Sequence, residues 1–195
     1  MFKFKISIQV LILLLVITSC TKTKNPKIIM QTEYGDIIIE LYAEKAPITV
    51  ANFLKYIDEN RFTDASFYRA VRMDNQPDND IKIEVIQGGL FEDEHPEMRA
   101  AIQHESTKQT GILHTDGVIS MARNEPGSAT SEFFICIGDQ PSLDYGGMRN
   151  ADGQGFAAFG KVIKGLEVVK KIQSRPAKNQ YLEPHIKINQ IKRMK

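Results

Sequence analysis

Ser120-Met121-Ala122-Arg123 and, after a turn-rich stretch, Ser131-Glu132-Phe133-Phe134-Ile135-Cys136-Ile137 are the residues on which the fold turns. Gly117 to Ala122 and Glu132 to Ile137 are short apolar runs rich in strand formers. The Asn124-Glu125-Pro126-Gly127 cluster between them carries turn residues, so the segment reads as two strands and a loop. Outward from it, similar runs recur near Phe67 to Val71, Ile83 to Ile86, Phe156 to Val162 and His185 to Met194. At the front, Lys27 to Thr32 and Gly35 to Tyr42 flank Glu33-Tyr34-Gly35-Asp36, the composition of a hairpin. Two segments have helical spacing instead. Val50, Phe53, Leu54 and Ile57 follow i, i+3, i+4, i+7 behind Pro47 and continue to about Asn60. Leu166, Val169 and Ile172 mark a second helix over Leu166 to Ile172. Many short strands with regular turn signals argue for an antiparallel barrel or a sandwich, and periodicity alone leaves both open.

With 195 residues, 42% of them apolar, the chain fits one domain with a real core. The first residues differ in kind. Lys3 and Lys5 precede an apolar stretch from Ile6 to Ile17, then Thr18-Ser19-Cys20, the pattern of a bacterial export signal. The stretch falls short of the roughly 20 residues a membrane span needs. Thr18-Ser19-Cys20 resembles a lipobox, which predicts cleavage after residue 19, acylation of Cys20 and anchoring in the bilayer without spanning it. Residues 20–26 are then a tether and residues 27–195 the folded domain, exported and lipid-anchored in the cell envelope on its periplasmic side. Loss of residues 1–19 removes Lys3 and Lys5 and no acid, leaving 23 basic residues against 24 acidic. That balance gives no reason to expect nucleic-acid binding. The mature domain keeps one cysteine, Cys136, in an apolar run, so no internal disulfide is expected and a small buried hydrophobe is its expected role.

Phe67-Tyr68-Arg69, Gln87-Gly88-Gly89 and the run from Ser120 to Ile135 together resemble the active-site strands of cyclophilins, the peptidyl-prolyl cis-trans isomerases, in order, approximate separation and flanking residues. The resemblance covers Lys27 to Lys195. It implies a mainly β fold, a closed eight-stranded antiparallel β-barrel capped by two α-helices, and thereby decides between barrel and sandwich. It also implies rotation about X-Pro peptide bonds, with proline-containing unfolded or flexible segments as partners and no cofactor. A monomer is expected.

The reaction itself needs no nucleophile. The X-Pro amide resists rotation by about 18–20 kcal/mol because of resonance. A donor aimed at the twisting amide and an apolar socket for the proline ring favour the twisted state over both planar ones. The resemblance assigns Arg69 as that donor and Gln87 as the partner that holds Arg69 and the substrate backbone. It maps the socket onto Val85, Phe134, Leu143 and Phe156, and the peptide-pairing main chain onto Ala122 and Arg123. Glu132 stands where many members carry Gln, and Glu84 where many carry Phe. Both are expected to add negative charge near Arg69, with Glu132 orienting the guanidinium or competing for it. Those two acids motivate a rival reading, a proline-segment-binding chaperone or scaffold with little turnover. The chain has no Trp, so the indole that contacts cyclosporin in sensitive members is missing and weak inhibition is expected. Two long loops, Met73 to Lys82 and Tyr145 to Gly155, are expected to flank the site, with Tyr145 a substitute aromatic. His95, His104, His114 and His185 lack metal-site spacing, so no metal is expected. Ser128 and Ser131 have no His and acid arranged around them as a hydrolase requires.

Overall fold

The computed structural model describes residues 25–91 and 94–195. The expected leader, Cys20 and residues 21–24 of the tether lie outside the described residues. Strand β1 (Lys27–Thr32) and β2 (Gly35–Leu41) form the expected hairpin, in register from Lys27 opposite Glu40 to Thr32 opposite Gly35. Its turn is locked by the Thr32 hydroxyl, which donates to the Gly35 carbonyl (2.9 Å) and accepts from the Tyr34 N–H (3.1 Å). Helix α1 (Pro47–Asp58) follows, with Pro47 in its first turn. A distant carboxylate caps it: Glu105 accepts from the N–H groups of Ile48 (3.1 Å) and Thr49 (2.8 Å) and from the Thr49 hydroxyl (2.7 Å). Those N–H groups have no partner within the helix, and the negative charge suits the positive end of its dipole.

The remaining strands are β3 (Ser66–Val71), β4 (Val85–Gly89), β5 (Val118–Met121), β6 (Phe133–Cys136), β7 (Ala157–Lys164), β8 (Ala177–Lys178) and β9 (Tyr181–Arg193). They pair antiparallel in the order β1-β2-β7-β5-β6-β4-β3-β9, and β9 pairs back onto β1, so eight strands close a barrel. β8 is a two-residue appendage paired only to β9. Closure removes exposed sheet edges, which this many short strands require. Helix α3 (Leu166–Gln173) is the second expected helix. A four-residue turn, α2 (Thr107–Thr110), adds a third that the apolar spacing did not signal, because Gln109 accepts from the Ser106 N–H at 2.8 Å and no buried stripe is involved. Among the described residues no helix is long and apolar enough to cross a membrane.

Two apolar clusters result from strand alternation. Successive side chains point to opposite faces, so Phe133 enters the barrel while Phe134 faces its outer wall. Inside, Phe53 of α1 packs its ring 5.2 Å from Phe62, 5.5 Å from Phe133 and 5.1 Å from Phe159, sealing one end. Each such ring contributes roughly 1.5–3 kcal/mol by burial. Outside, Val71, Ile83, Val85, Phe134, Cys136, Leu143 and Phe156 form a smaller cluster with Ala122 at its edge. β4 starts at Val85, two residues later than the apolar run suggests, because Ile83 is held by the buried Gln76 side chain through both its N–H (3.3 Å) and its carbonyl (2.8 Å).

Candidate active site

One row of residues crosses four adjacent strands on the outer face. Arg69 of β3 stands opposite Gln87 of β4, Gln87 opposite Phe134 of β6, and Phe134 opposite Ser120 of β5. Neighbours across such strands bring Cβ atoms to about 4.5–5.5 Å. The row therefore sets a cation, an amide and an aromatic ring side by side. A bulge in β3 refines it: Phe67 pairs with Gly88 and Arg69 with Gln87, leaving Tyr68 as the extra residue. The bulge turns Tyr68 toward the same cleft as Arg69, against strict alternation.

A chain of hydrogen bonds holds the guanidinium. Arg69 Nη1 donates to Gln87 Oε1 at 3.0 Å, and Nε and Nη2 donate to Gln180 Oε1 at 3.0 and 2.6 Å. Gln87 Nε2 donates to the Tyr68 hydroxyl at 2.7 Å, which donates to Glu132 Oε2 at 2.5 Å. Burial, and then the adjacent Glu132 carboxylate, push the Tyr68 hydroxyl far above the ordinary tyrosine range. Tyr68 therefore stays a donor at any physiological pH. Glu132 Oε1 accepts from the Ser131 hydroxyl (3.0 Å) and from the N–H groups of Leu90 (2.8 Å) and Phe91 (3.2 Å). This network lies along a cleft of about 630 Å³ whose walls include Arg69, Gln87, Phe91, Ala122, Arg123 and Tyr181.

Beside the cleft, Phe134 and Phe156 meet edge to face at 5.3 Å, with Val85 and Leu143 packed around them. Behind Phe134 the imidazole of His114 stacks at 5.8 Å. It is fixed by Asp144 Oδ1 at Nδ1 (2.7 Å) and by Ser120 Oγ at Nε2 (2.9 Å). Ser120, His114 and Asp144 thus follow the hydrogen-bond order of a hydrolase triad. Ser120 has no exposure and His114 only 1%, so no acyl group can reach them. Their role is to brace the aromatic wall.

The family model for cyclophilin-type peptidyl-prolyl cis-trans isomerases matches residues 27–193. The chain is 35% identical over 169 residues to a peptidyl-prolyl cis-trans isomerase of Acinetobacter baylyi, covering 86% of this chain and 82% of the relative. It is also 35% identical over 150 residues to peptidyl-prolyl cis-trans isomerase B of Escherichia coli, covering 75% and 83%. The chain belongs to the cyclophilin family of peptidyl-prolyl cis-trans isomerases. A crystal structure of a Cryptosporidium parvum cyclophilin-type isomerase superimposes with a TM-score of 0.70 at 21% identity, covering 88% of this chain and 98% of that one, which supports the fold. The activity is that of the family, isomerisation of X-Pro bonds.

In this cyclophilin Arg69, Gln87, Ala122, Arg123 and Glu132 come together around the cleft, and Val85, Phe134, Leu143 and Phe156 form one cluster adjoining it. Glu132, Glu84 and Tyr145 depart from the sequence reading. Glu132 does not hydrogen-bond Arg69; its oxygens are taken by Tyr68, Ser131 and two backbone N–H groups, so it reaches Arg69 only through Tyr68 and Gln87. Glu84 faces Gln173 of α3, whose Nε2 lies 3.5 Å from its carboxylate. The Arg123 side chain is almost wholly buried, donating to the Gly155 carbonyl (2.6 and 2.9 Å) and to both oxygens of Asp152 (2.7 and 2.9 Å). Those bonds, foremost among the causes, hold the Asp152 carboxyl down at about 2. Arg123 therefore anchors the Tyr145 to Gly155 loop and lies 5.2 Å above the Phe156 ring. The Ala122 N–H already donates to the Glu132 carbonyl (2.8 Å) and is not free for an incoming strand. Tyr145 sits beside α2 under Lys108, not in the cleft wall.

Gln180 is the residue the sequence reading missed. It occupies the second position of the two-residue β8–β9 turn, where Lys178 pairs with Tyr181 and both Asn179 (φ 49°) and Gln180 (φ 72°) are left-handed. Such turns favour Asn-Gly. A Gln in the glycine position is strained, and strain of this kind concentrates at functional sites. Here it aims the side-chain Oε1 of Gln180 at Arg69 while Nε2 donates to the Asn75 carbonyl at 3.0 Å, tying the Met73 to Lys82 loop to the site. The Tyr145 to Gly155 loop joins through Arg149, which donates to the Ile81 carbonyl. Burial, and then the charge of Arg69, draw the Arg149 guanidinium below its usual range.

Proposed function

We propose that Arg69 is the electrophilic donor of this isomerase, held by Gln87 and Gln180, and that Val85, Phe134, Leu143 and Phe156 receive the proline ring. The observation that carries this reading is the cross-strand row Arg69, Gln87, Phe134. It sets a permanently charged planar donor with one strand, β4, between it and an aromatic wall. As the amide twists, the prolyl nitrogen becomes pyramidal and basic, and a guanidinium bond to it grows stronger in the twisted state than in either planar one. The binding-module alternative rests on negative charge brought to Arg69 by Glu84 and Glu132; the Arg69 guanidinium is hydrogen-bonded by Gln87 and Gln180 instead, while Glu132 bonds Tyr68 and Glu84 faces Gln173.

The same proposal includes export and anchoring. Lys3 and Lys5, the apolar stretch Ile6 to Ile17 and Thr18-Ser19-Cys20 support cleavage before Cys20 and acylation there, with residues 20–26 as the tether to the bilayer. Clients would be proline-containing, unfolded or flexible segments of envelope proteins.

The test is the isomerisation rate of a proline tetrapeptide with the full chain and with Arg69→Ala. Loss of one preorganised donor predicts a fall in kcat/KM of about 10²–10³-fold with the fold intact. A variant within threefold of the parent would sink the role given to Arg69. Palmitate labelling that survives Cys20→Ser would sink the anchor.

A further inference from the structure

Phe91 is nearly half exposed (47%) and belongs to neither apolar cluster, yet its backbone is left-handed at φ 72°, a conformation disfavoured for a bulky side chain. The fold does not need a ring there, and glycine would occupy the position without strain. The conformation is held because Glu132 Oε1 accepts from the N–H groups of both Leu90 and Phe91. Held so, the ring lies 4.8 Å from Tyr68, 4.7 Å edge-on to His185 and 6.3 Å edge-on to Tyr181, itself 46% exposed. Phe91 and Tyr181 line the same cleft as Arg69 and Gln87. Tyr181 stands directly opposite Arg69 in the β3–β9 pairing, on the side away from the Phe134 wall. The carboxylate that fixes Phe91 is the one that ends the Arg69–Gln87–Tyr68 chain.

We infer that Phe91, Tyr181 and His185 form a second subsite of the cleft, which takes an aromatic or large aliphatic side chain of the same peptide whose proline sits at Arg69. The inference rests on the isomerase reading of the cleft. The occupant is apolar because the shelf presents ring faces and edges, and such rings gain most from an offset or edge-on partner. It is part of the same peptide because the shelf is continuous with the cleft. From the Arg69 row the shelf extends across Tyr181, about 5 Å away as a cross-strand neighbour, to Phe91, whose ring lies 6.3 Å from that of Tyr181. An extended chain advances about 3.3 Å per residue, which puts the occupant about two to three residues from the proline.

The experiment uses the full chain and seven-residue peptides with a central proline, carrying Phe or Ala at each of the positions two and three residues to either side. kcat/KM is read by NMR exchange for the parent, Phe91→Gly and Tyr181→Ala. The parent is expected to prefer Phe over Ala by about tenfold at one of these positions, a difference of about 1.4 kcal/mol. In Phe91→Gly the ratio is expected to fall to within twofold of one, and in Tyr181→Ala to fall part of the way. Glycine suits the left-handed backbone, so Phe91→Gly removes the ring without straining the turn. A parent without any Phe preference, or a preference undiminished in Phe91→Gly, would overturn the subsite. If the parent accelerated no peptide, the isomerase reading would fail by itself. The same Phe-to-Ala ratio, taken from dissociation constants by calorimetry, would then decide the shelf.

Discussion

Replacing Gln180 with Gly separates stability from catalysis in this molecule. The substitution removes the acceptor for two of the three Arg69 hydrogen bonds and the donor to the Asn75 carbonyl, while the Gln180 main-chain carbonyl, which accepts from the Ala70 N–H at 2.8 Å, remains. On the stability side, a side chain in the left-handed region costs about 1–2 kcal/mol, which glycine releases. Against this stand a loss of about 0.5–1.5 kcal/mol per hydrogen bond, softened because water reaches the half-buried groups, and the greater freedom of glycine in the unfolded chain. The net change is expected to stay within about 1 kcal/mol, a Tm shift of no more than about 4 °C for a domain of this size. On the catalytic side, Arg69 keeps only Gln87 as an anchor, and the lost charge-assisted anchoring is worth about 1.5–3 kcal/mol. If half of that is preorganisation, kcat/KM falls about 4- to 13-fold. The assay is tetrapeptide isomerisation in parent, Gln180→Gly, Arg69→Ala and the double variant. Because Gln180 acts through Arg69, its replacement should have no further effect once Arg69 is gone. Turnover in Gln180→Gly within twofold of the parent, or an equal loss in the Arg69→Ala background, would refute the positioning role.

Other outcomes follow from the same geometry. Tyr68→Phe leaves Gln87 Nε2 and Glu132 Oε2 without their shared partner; kcat/KM should drop about 5- to 30-fold, with a loss of about 1–3 kcal/mol in denaturant unfolding from the unsatisfied groups. Asp152 titrates at about 2 in the folded chain against 3.8 when unperturbed. Its depressed value means the Arg123 pairing stabilises the fold fully above pH about 4 and loses that effect as the pH falls through about 2. Asp152→Asn should therefore lower Tm at pH 7 and lower it much less at pH 2, where the carboxyl is half protonated, and a difference as large at pH 2 as at pH 7 would contradict the pairing. Cys136 has no exposure, and burial pushes its thiol far above the usual range. In a Cys20→Ser chain it should react with a thiol reagent only as fast as the protein unfolds, and fast labelling under native conditions would show that the outer cluster opens.

The sequence by itself located most of the elements and, through the family resemblance, the Arg69 and Gln87 pair. Short β-branched and apolar runs bounded by turn residues located β1 to β7 and the body of β9, Pro47 and the 3.6-residue spacing located α1, and the family resemblance carried by the three motifs assigned Arg69 and Gln87 to one site. The strand and helix signals are local: each depends on the residue types and spacing of a short stretch of chain. What only the tertiary structure decided is how the site is held. Gln180 grips Arg69 from 111 residues away, and Tyr68 reaches Glu132 across 64. Neither partner could be read from residue type, since Asn179-Gln180 lacks the glycine that announces a two-residue turn and Glu132 is as able to face Arg69 as to face two backbone N–H groups. The choice falls to closure of the barrel. β9 must pair with both β1 and β3, and the irregular β3–β9 register carries the chain from Ile186 opposite Phe67 to Tyr181 opposite Arg69. That jump delivers Gln180 and Tyr181 to the Arg69 row. A hydrogen bond needs its two atoms within about 3 Å and well aligned, and such a distance between remote residues is a property of the closed barrel, absent from any one strand.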